Sequence, residues 1–180
     1  MSASRRDGVV RIVSGGQTGA DRGGLDAARV LGLDQGGWCP RGRRAEDGRI
    51  PDRYRLAELS TPTYLERTRR NVVDSDATIL FTRGEPRGGS RLTAQFAREA
   101  GRPLLHIDVR DLETQPQASC DRLRAWLARH EVAVLNVAGS RESGCPGIAA
   151  TVERFLVDCL AGAAALPLVA EPTRAWEGQD

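Results

Sequence analysis

At 180 residues, with 40% hydrophobic and 4% aromatic content, the chain suits one domain that buries most of its apolar surface, and it is short for two. Its 26 basic and 24 acidic residues are interspersed and leave a net charge of +2, so no long-range field selects nucleic acid or an acidic membrane surface. No secretory leader is visible and no apolar run approaches the roughly 18 residues of a membrane span, so a cytoplasmic protein with reduced thiols and no membrane partner is expected.

Taken in order, residues Met1–Gly8 are a polar lead-in. Val9-Val10-Arg11-Ile12-Val13 is a β-branched run bounded by glycine and predicts a strand. It breaks into Ser14–Gly24, rich in glycine, and then into a helical pattern through Leu25, Ala28 and Leu31. A glycine loop between strand and helix presents N–H groups where the helix dipole favours an anion, so a phosphate site is expected. The loop is not a P-loop, which needs a lysine, because all 26 basic residues are arginines. Nor is it G-x-G-x-x-G, although Gly16 and Gly19 keep part of that spacing.

Asp34–Trp38 predicts a short second strand. Cys39–Arg55 then forms a long loop of arginines, glycines and prolines; loops beyond about 12–15 residues are uncommon unless they serve a site. Tyr64–Val73 reads as a helix, with Leu65, Thr68 and Val72 on one side and Glu66, Arg67 and Arg70 on the other. Ala77–Phe81 is the third strand. Thr82–Ser90 is a second glycine loop, ahead of a helix through Leu92, Phe96 and Ala97 whose cap lies near Ser90 or Arg91. Two helix N-termini could thus converge on one ligand.

Leu104–Val109 reads as a central strand of a parallel sheet, with His106 an ordinary strand residue. Asp121–Arg129 predicts a helix ending at His130. The last strand, Val132–Gly139, runs into Ser140–Gly147, and a final helix spans Ile148 to about Leu160. Ala161–Asp180 is a tail in which Leu166, Leu168 and Val169 offer apolar surface for self-association. Among the cysteines, Cys120 and Cys159 fall in helical patterns as small buried hydrophobes, while Cys39 and Cys145 fall in loops. Their spacing fits no metal site, so no protein-ligated metal is expected.

Alternating strands and helices predict an α/β fold, a single Rossmann-like domain over residues 9–160 with a doubly wound parallel sheet and helices on both faces. Loops 14–24, 39–55, 82–91 and 139–147 then share the carboxyl rim, where such sheets bind ligands.

Four separated strings carry a family likeness in order: Ser14–Arg22, Gly36–Gly48, Asn71–Thr78 and Leu135–Ser143. On these the chain resembles the molybdenum carrier family, the molybdenum-cofactor carrier proteins within the lysine-decarboxylase-like, nucleotide-ligand Rossmannoid group. The resemblance implies a protein that binds the molybdenum cofactor or a related pterin without altering it and assembles as a homo-oligomer, a dimer or tetramer. Some relatives in the wider group are phosphoribohydrolases with the signature P-G-G-x-G-T-x-x-E. Here the corresponding Pro86-Arg87-Gly88-Gly89-Ser90-Arg91-Leu92-Thr93-Ala94 lacks the later Gly-Thr and the catalytic acid, and Gln95 stands near where that acid would fall.

The candidate binding set is Gly15, Gly16, Gln17, Thr18, Gly19, Asp21 and Arg22 on the first loop, Gly88, Gly89, Ser90 and Thr93 on the second, and Asn136, Ser140, Arg141 and Glu142 at the last strand. Arg22, Arg43 and Arg141 are the candidates for forked phosphate contacts. The alternative is a nucleotide-monophosphate hydrolase or a nucleotide-derivative sensor, with Asp21 or Glu142 as acid or nucleophile; either acid could equally cap a helix or pair with an arginine. Binding is the favoured reading, because no spacing identifies an acid and a base with tuned pKa values.

Overall fold

The computed structural model describes residues 8–161; the tail with Leu166, Leu168 and Val169, and the lead-in before Gly8, lie outside the described residues. In chain order the elements are β1 (Arg11–Val13), α1 (Ala20–Leu31), β2 (Asp34–Gly36), β3 (Trp38–Cys39), β4 (Arg44–Ala45), β5 (Gly48–Arg49), β6 (Ala57–Glu58), α2 (Tyr64–Val73), β7 (Ala77–Thr82), α3 (Gly88–Glu99), β8 (Leu104–Asp108), α4 (Val109–Thr114), α5 (Pro116–Arg129), β9 (Val134–Gly139) and α6 (Ile148–Ala161).

Five strands form one parallel sheet in the order β2-β1-β9-β7-β8. All six residues of β7 are buried, as expected of a strand covered on both faces. The last strand, β9, returns between β1 and β7, with Leu135 opposite Ile12 and Val137 opposite Ile79. From that slot the chain winds outward in both directions, to β2 on one side and to β8 on the other. The carboxyl ends of β1, β9 and β7 therefore meet at the switch point, where a doubly wound sheet opens a crevice. Helices α1, α5 and α6 pack along one face, and α2 packs with α3 on the other.

The first loop is shorter than expected, because α1 already begins at Ala20. Gly23 and Gly24 belong to the helix, and a Cβ on either would overlap the Ala149 carbonyl or the Val137 side chain. They let α1 lie close against α6 and β9. A second correction concerns β8, which is an edge strand rather than a central one. It alternates buried Leu105 and Ile107 with half-buried His106 and Asp108, a period-2 pattern that the apolar run Leu104–Val109 concealed. Helix α3 starts at Gly88, so Ser90 lies inside its first turn. Helix α5 starts at Pro116 rather than Asp121, with proline in the first turn.

Cys120 on α5 and Cys159 on α6 are joined as a disulfide, with Cα atoms 5.4 Å apart. The expectation of reduced thiols does not hold for this pair. Cys39 and Cys145 are free and buried.

The long excursion after β2 is ordered. Strands β3 and β6 pair in parallel, β4 and β5 form a small antiparallel ladder, and Leu25, Cys39, Ile50 and Tyr54 make a second small core beneath them. Arg43 organises this segment. Its guanidinium donates to the carbonyl oxygens of Ile50 (3.1 Å), Pro51 (3.0 Å), Tyr54 (2.9 Å) and Leu56 (3.3 Å). It therefore serves the loop's own backbone and is not a phosphate ligand. Lysine in its place, a point donor on a flexible stem, cannot reach all four carbonyls. We expect Arg43→Lys to lower unfolding stability by about 2 kcal/mol or more, read from urea titration, with the exposed Arg44→Lys as a control; equal midpoints for the two variants would refute this role.

Candidate functional site

A cavity of about 730 Å³ opens over the carboxyl ends of β1, β9 and β7. Nine of the expected residues line it: Gly15, Gln17 and Asp21 from the first loop and α1, Gly89, Ser90 and Thr93 from α3, and Asn136, Ser140 and Arg141 from β9 and its loop. Buried Asn136 donates to Thr78 Oγ1 at 3.1 Å, and the Thr93 hydroxyl donates to the Gly89 carbonyl at 3.0 Å. Gly16, Thr18, Gly19, Arg22, Gly88 and Glu142 do not line the cavity, and each has a different reason.

The three helix starts on this rim differ in what meets them. At α1, Ala20 N–H donates to the Ser140 carbonyl at 3.1 Å. A Cβ on Gly19 would overlap the backbone of residues 140–142, so this end is closed by protein. At α6, Glu142 accepts from Gly147 N–H at 2.5 Å and Ala149 N–H at 3.1 Å, which makes it a cap of that helix. Helix α3 has no capping side chain, and open space surrounds Gly88 and Gly89. Of the two glycine loops expected to converge on an anion, the second supplies the accessible N-terminus.

Arg22 lies outside the cavity. It forks onto Asp47 at 2.6 and 2.7 Å and donates from Nε to the Gly16 carbonyl at 3.2 Å. Next to it, Glu46 accepts from Ser143 Oγ at 2.6 Å and from Thr18 Oγ1, while its own N–H donates to Gln17 Oε1 at 2.9 Å. The hydroxyls of Ser143 and Thr18 hold the Glu46 carboxyl below its ordinary range. Glu46 and Asp47 thus fasten the excursion to the first loop and to the loop after β9. Gly16, at φ +72°, faces the second core, and a Cβ there would press on Leu56 and Ile50.

Sequence reasoning missed Arg67. The helix α2 pattern set it with Glu66 and Arg70, on the side opposite Leu65, Thr68 and Val72. Instead Leu65 is 57% exposed, the Arg67 side chain is 12% exposed, and Tyr64, Arg67, Thr68 and Asn71 turn toward the cavity. Arg67 Nη1 donates to Asp21 Oδ2 at 2.8 Å, and Gln17 N–H donates to the same oxygen at 3.2 Å. The guanidinium lies directly on Gly15, where any Cβ would overlap it. Burial pushes the Asp21 carboxyl up from its ordinary value and the Arg67 charge opposes that rise.

Five arginines and two carboxylic residues line the cavity, so its field favours an anion. Arg110 is held by Asp108, whereas Arg83 and Arg87 are exposed. Arg141 is half exposed; its nearest carboxylate oxygen is Glu46 Oε2 at 3.9 Å, and its Cζ lies 5.7 Å from the centroid of the Tyr64 ring. Pairing of Arg141 with Glu142 or Asp21 does not occur.

The profile of the Circularly permutated YpsA SLOG family matches residues 12–160. No functionally curated protein matches the chain. Among solved structures, the chain is similar to that of a "Putative molybdenum carrier protein" from Syntrophus aciditrophicus, at 40% identity and a TM-score of 0.79, over 84% of this chain and 94% of that one.

Two outcomes are expected from this geometry. Gly16→Val unfolds the protein at lower temperature, because the side chain must enter the second core from a backbone that disfavours it; unchanged melting would show that Leu56 and Ile50 yield freely. Asp21 holds its proton to higher pH folded than unfolded, so its contribution to stability is full below the unfolded value of 3.8 and is lost as pH rises through the folded value. Removing the Arg67 cation extends that loss upward. The stability gap between Arg67→Met and the parent, measured by urea titration, therefore widens as pH rises above 3.8; a gap independent of pH would mean that Asp21 is not the responding group.

Proposed function

Because the chain belongs to the circularly permutated YpsA SLOG family, we propose that the rim crevice is a carrier site for the molybdenum cofactor, a phosphate-bearing pterin held without chemical change. The observation that carries this reading is the donor set. An open helix N-terminus at Gly88 and Gly89, an arginine excess in the lining, and Arg141 beside the cavity mouth suit a phosphate. The similar protein from Syntrophus aciditrophicus bears a molybdenum carrier name. The metal travels as cargo on the ligand's own atoms. Both candidate acids have protein partners, Asp21 in Arg67 and Glu142 in the N–H groups at the start of α6. A homo-oligomer, dimer or tetramer, completes the proposal and is measured by light scattering.

One observation favours a second reading, a nucleotide-monophosphate hydrolase: Asp21 is a cavity-lining carboxyl whose pKa is raised by burial, as a general acid's would be. Free base released from a nucleoside monophosphate, and lost in Asp21→Asn at unchanged affinity, would put that reading first.

The carrier reading is tested by isothermal titration with molybdenum cofactor, molybdopterin and nucleoside monophosphates. Arg141→Ala should weaken phosphate-bearing ligands by about 1.5–3 kcal/mol, roughly ten- to over a hundredfold. Lysine should recover part of that loss, because it cannot reproduce two parallel donors. The melting temperature should stay at the parent value, since no carboxylate lies closer to Arg141 than 3.9 Å. No binding by the parent chain to any of these ligands, or binding unchanged in Arg141→Ala, overturns the phosphate site.

A further inference from the structure

Outside the rim crevice, one covalent cross-link among the described residues ties α5 to α6. Cys120 lies in the second turn of α5 and Cys159 in the last turn of α6. Their Cα atoms are 5.4 Å apart, close to the roughly 5.5–6 Å most common for bridged cysteines. A second link lies beside the first. Arg124, one turn further along α5, donates from Nε to the Cys159 carbonyl at 2.8 Å and from Nη2 to the Asp158 carbonyl at 3.3 Å. Those carbonyls belong to the last turn of α6, where the helix itself supplies no donor.

The two links differ in what they ask of the fold. Leu123 and Leu127 on α5, and Phe155 and Leu156 on α6, are buried in the same core cluster as the two cysteines, and a chain with a core of this size needs no staple to fold. Cys39 and Cys145 stay thiols in the same chain. The bridge is therefore dispensable for folding, and Arg124 keeps the helix ends joined when it is broken. The two cysteines also differ in access. Cys120 is 8% exposed and Cys159 1%, so a small reagent arriving from solvent meets Cys120 first.

We propose that Cys120 and Cys159 are a reversible redox latch between α5 and α6, closed by exchange with a small-molecule disulfide. The Cys120 thiolate attacks one sulfur of the incoming disulfide, expelling the other half as a thiolate and forming a mixed disulfide. The Cys159 thiolate then attacks Cys120 Sγ and expels the second half. Two protein thiols and one small disulfide become one protein disulfide and two small thiols, and the two thiol protons pass to the leaving thiolates. A small thiol in excess runs the sequence backward, attacking Cys120 Sγ and releasing Cys159. The bridge spans a sequence separation of 39 residues and removes chain entropy from the unfolded state. The oxidised form therefore frays at α5 and the end of α6 less often than the reduced form.

The test uses glutathione and its disulfide as the probe pair on the full chain, quenched with N-ethylmaleimide in denaturant and mapped by peptide mass spectrometry. The parent should pass between the Cys120–Cys159 disulfide and two thiols as the ratio of the two forms of glutathione is varied. Cys159→Ser should accumulate a glutathione adduct at Cys120, whereas Cys120→Ser should leave Cys159 without one. Cys159→Ala and Cys120→Ala repeat the comparison without placing a hydroxyl in the core. Reducing the parent should lower its melting temperature by about 5–15 °C, with no shift in Cys120→Ala under the same reductant, and should quicken hydrogen exchange in α5 and the last turn of α6. A pair that stays as thiols, or stays bridged, at every glutathione ratio overturns the latch. So does an adduct that forms at Cys159 rather than Cys120, or a melting temperature that reduction leaves unchanged.

Discussion

Asp21 sits in the first turn of α1 with its carboxyl out of water, and a carboxylate in that position needs a cation and donors beside it. Arg67 provides the cation from the other layer of the molecule. To reach Asp21 it crosses directly over Gly15, so the glycine and the ion pair require each other. The consequence is architectural as well as electrostatic. α2 is drawn toward the carboxyl ends of β1 and β9, and its residues from Tyr64 to Asn71 become one wall of the crevice. A pair of this kind is weak evidence for stability in itself, but it decides which face of α2 meets the site.

Around that pair the polar groups of the rim divide into those that build the walls and those left for an occupant. Glu142 answers the N–H groups of α6, the Ser140 carbonyl answers α1, and Arg22 and Arg43 serve Asp47 and the excursion's carbonyls. Each of these had the residue type of a ligand contact and turns out to hold protein to protein. The open start of α3, Gln17 Nε2 and Arg67 Nε have no such employment among the described residues, and half-exposed Arg141 has a long 3.9 Å ion pair with Glu46. Selection by elimination of internal partners leaves a smaller and more specific set than selection by residue type.

The excursion between β3 and β6 shows why a charged, glycine-rich stretch can be ordered. Its few apolar residues close a small core with Leu25 of α1, and a single guanidinium gathers the carbonyls that no ladder satisfies. Glu46 then ties it to both neighbouring loops. The first glycine loop is thus held from above by the excursion and from below by α1, which keeps its amides and the Gln17 side chain in one arrangement.

The sequence by itself determined the fold class and the rim. The period of the apolar residues separates strands from helices, right-handed crossovers then permit essentially one kind of sheet, and glycine loops at strand ends mark the carboxyl edge as the candidate site. Its four separated strings also carried the family, with which the profile match over residues 12–160 and the structural likeness agree. Only the tertiary structure decided the strand order, because the slot of β9 between β1 and β7 and the edge place of β8 depend on pairings far apart in the chain. The same holds for the individual arginines. Arg22, Arg43, Arg67 and Arg141 look alike in a sequence, and what separates them is whether a carboxylate or carbonyl from another element lies within about 3 Å. Asp21 and Arg67 are 46 residues apart, beyond any local pattern, so the pair that shapes the site was invisible until the chain had folded around it.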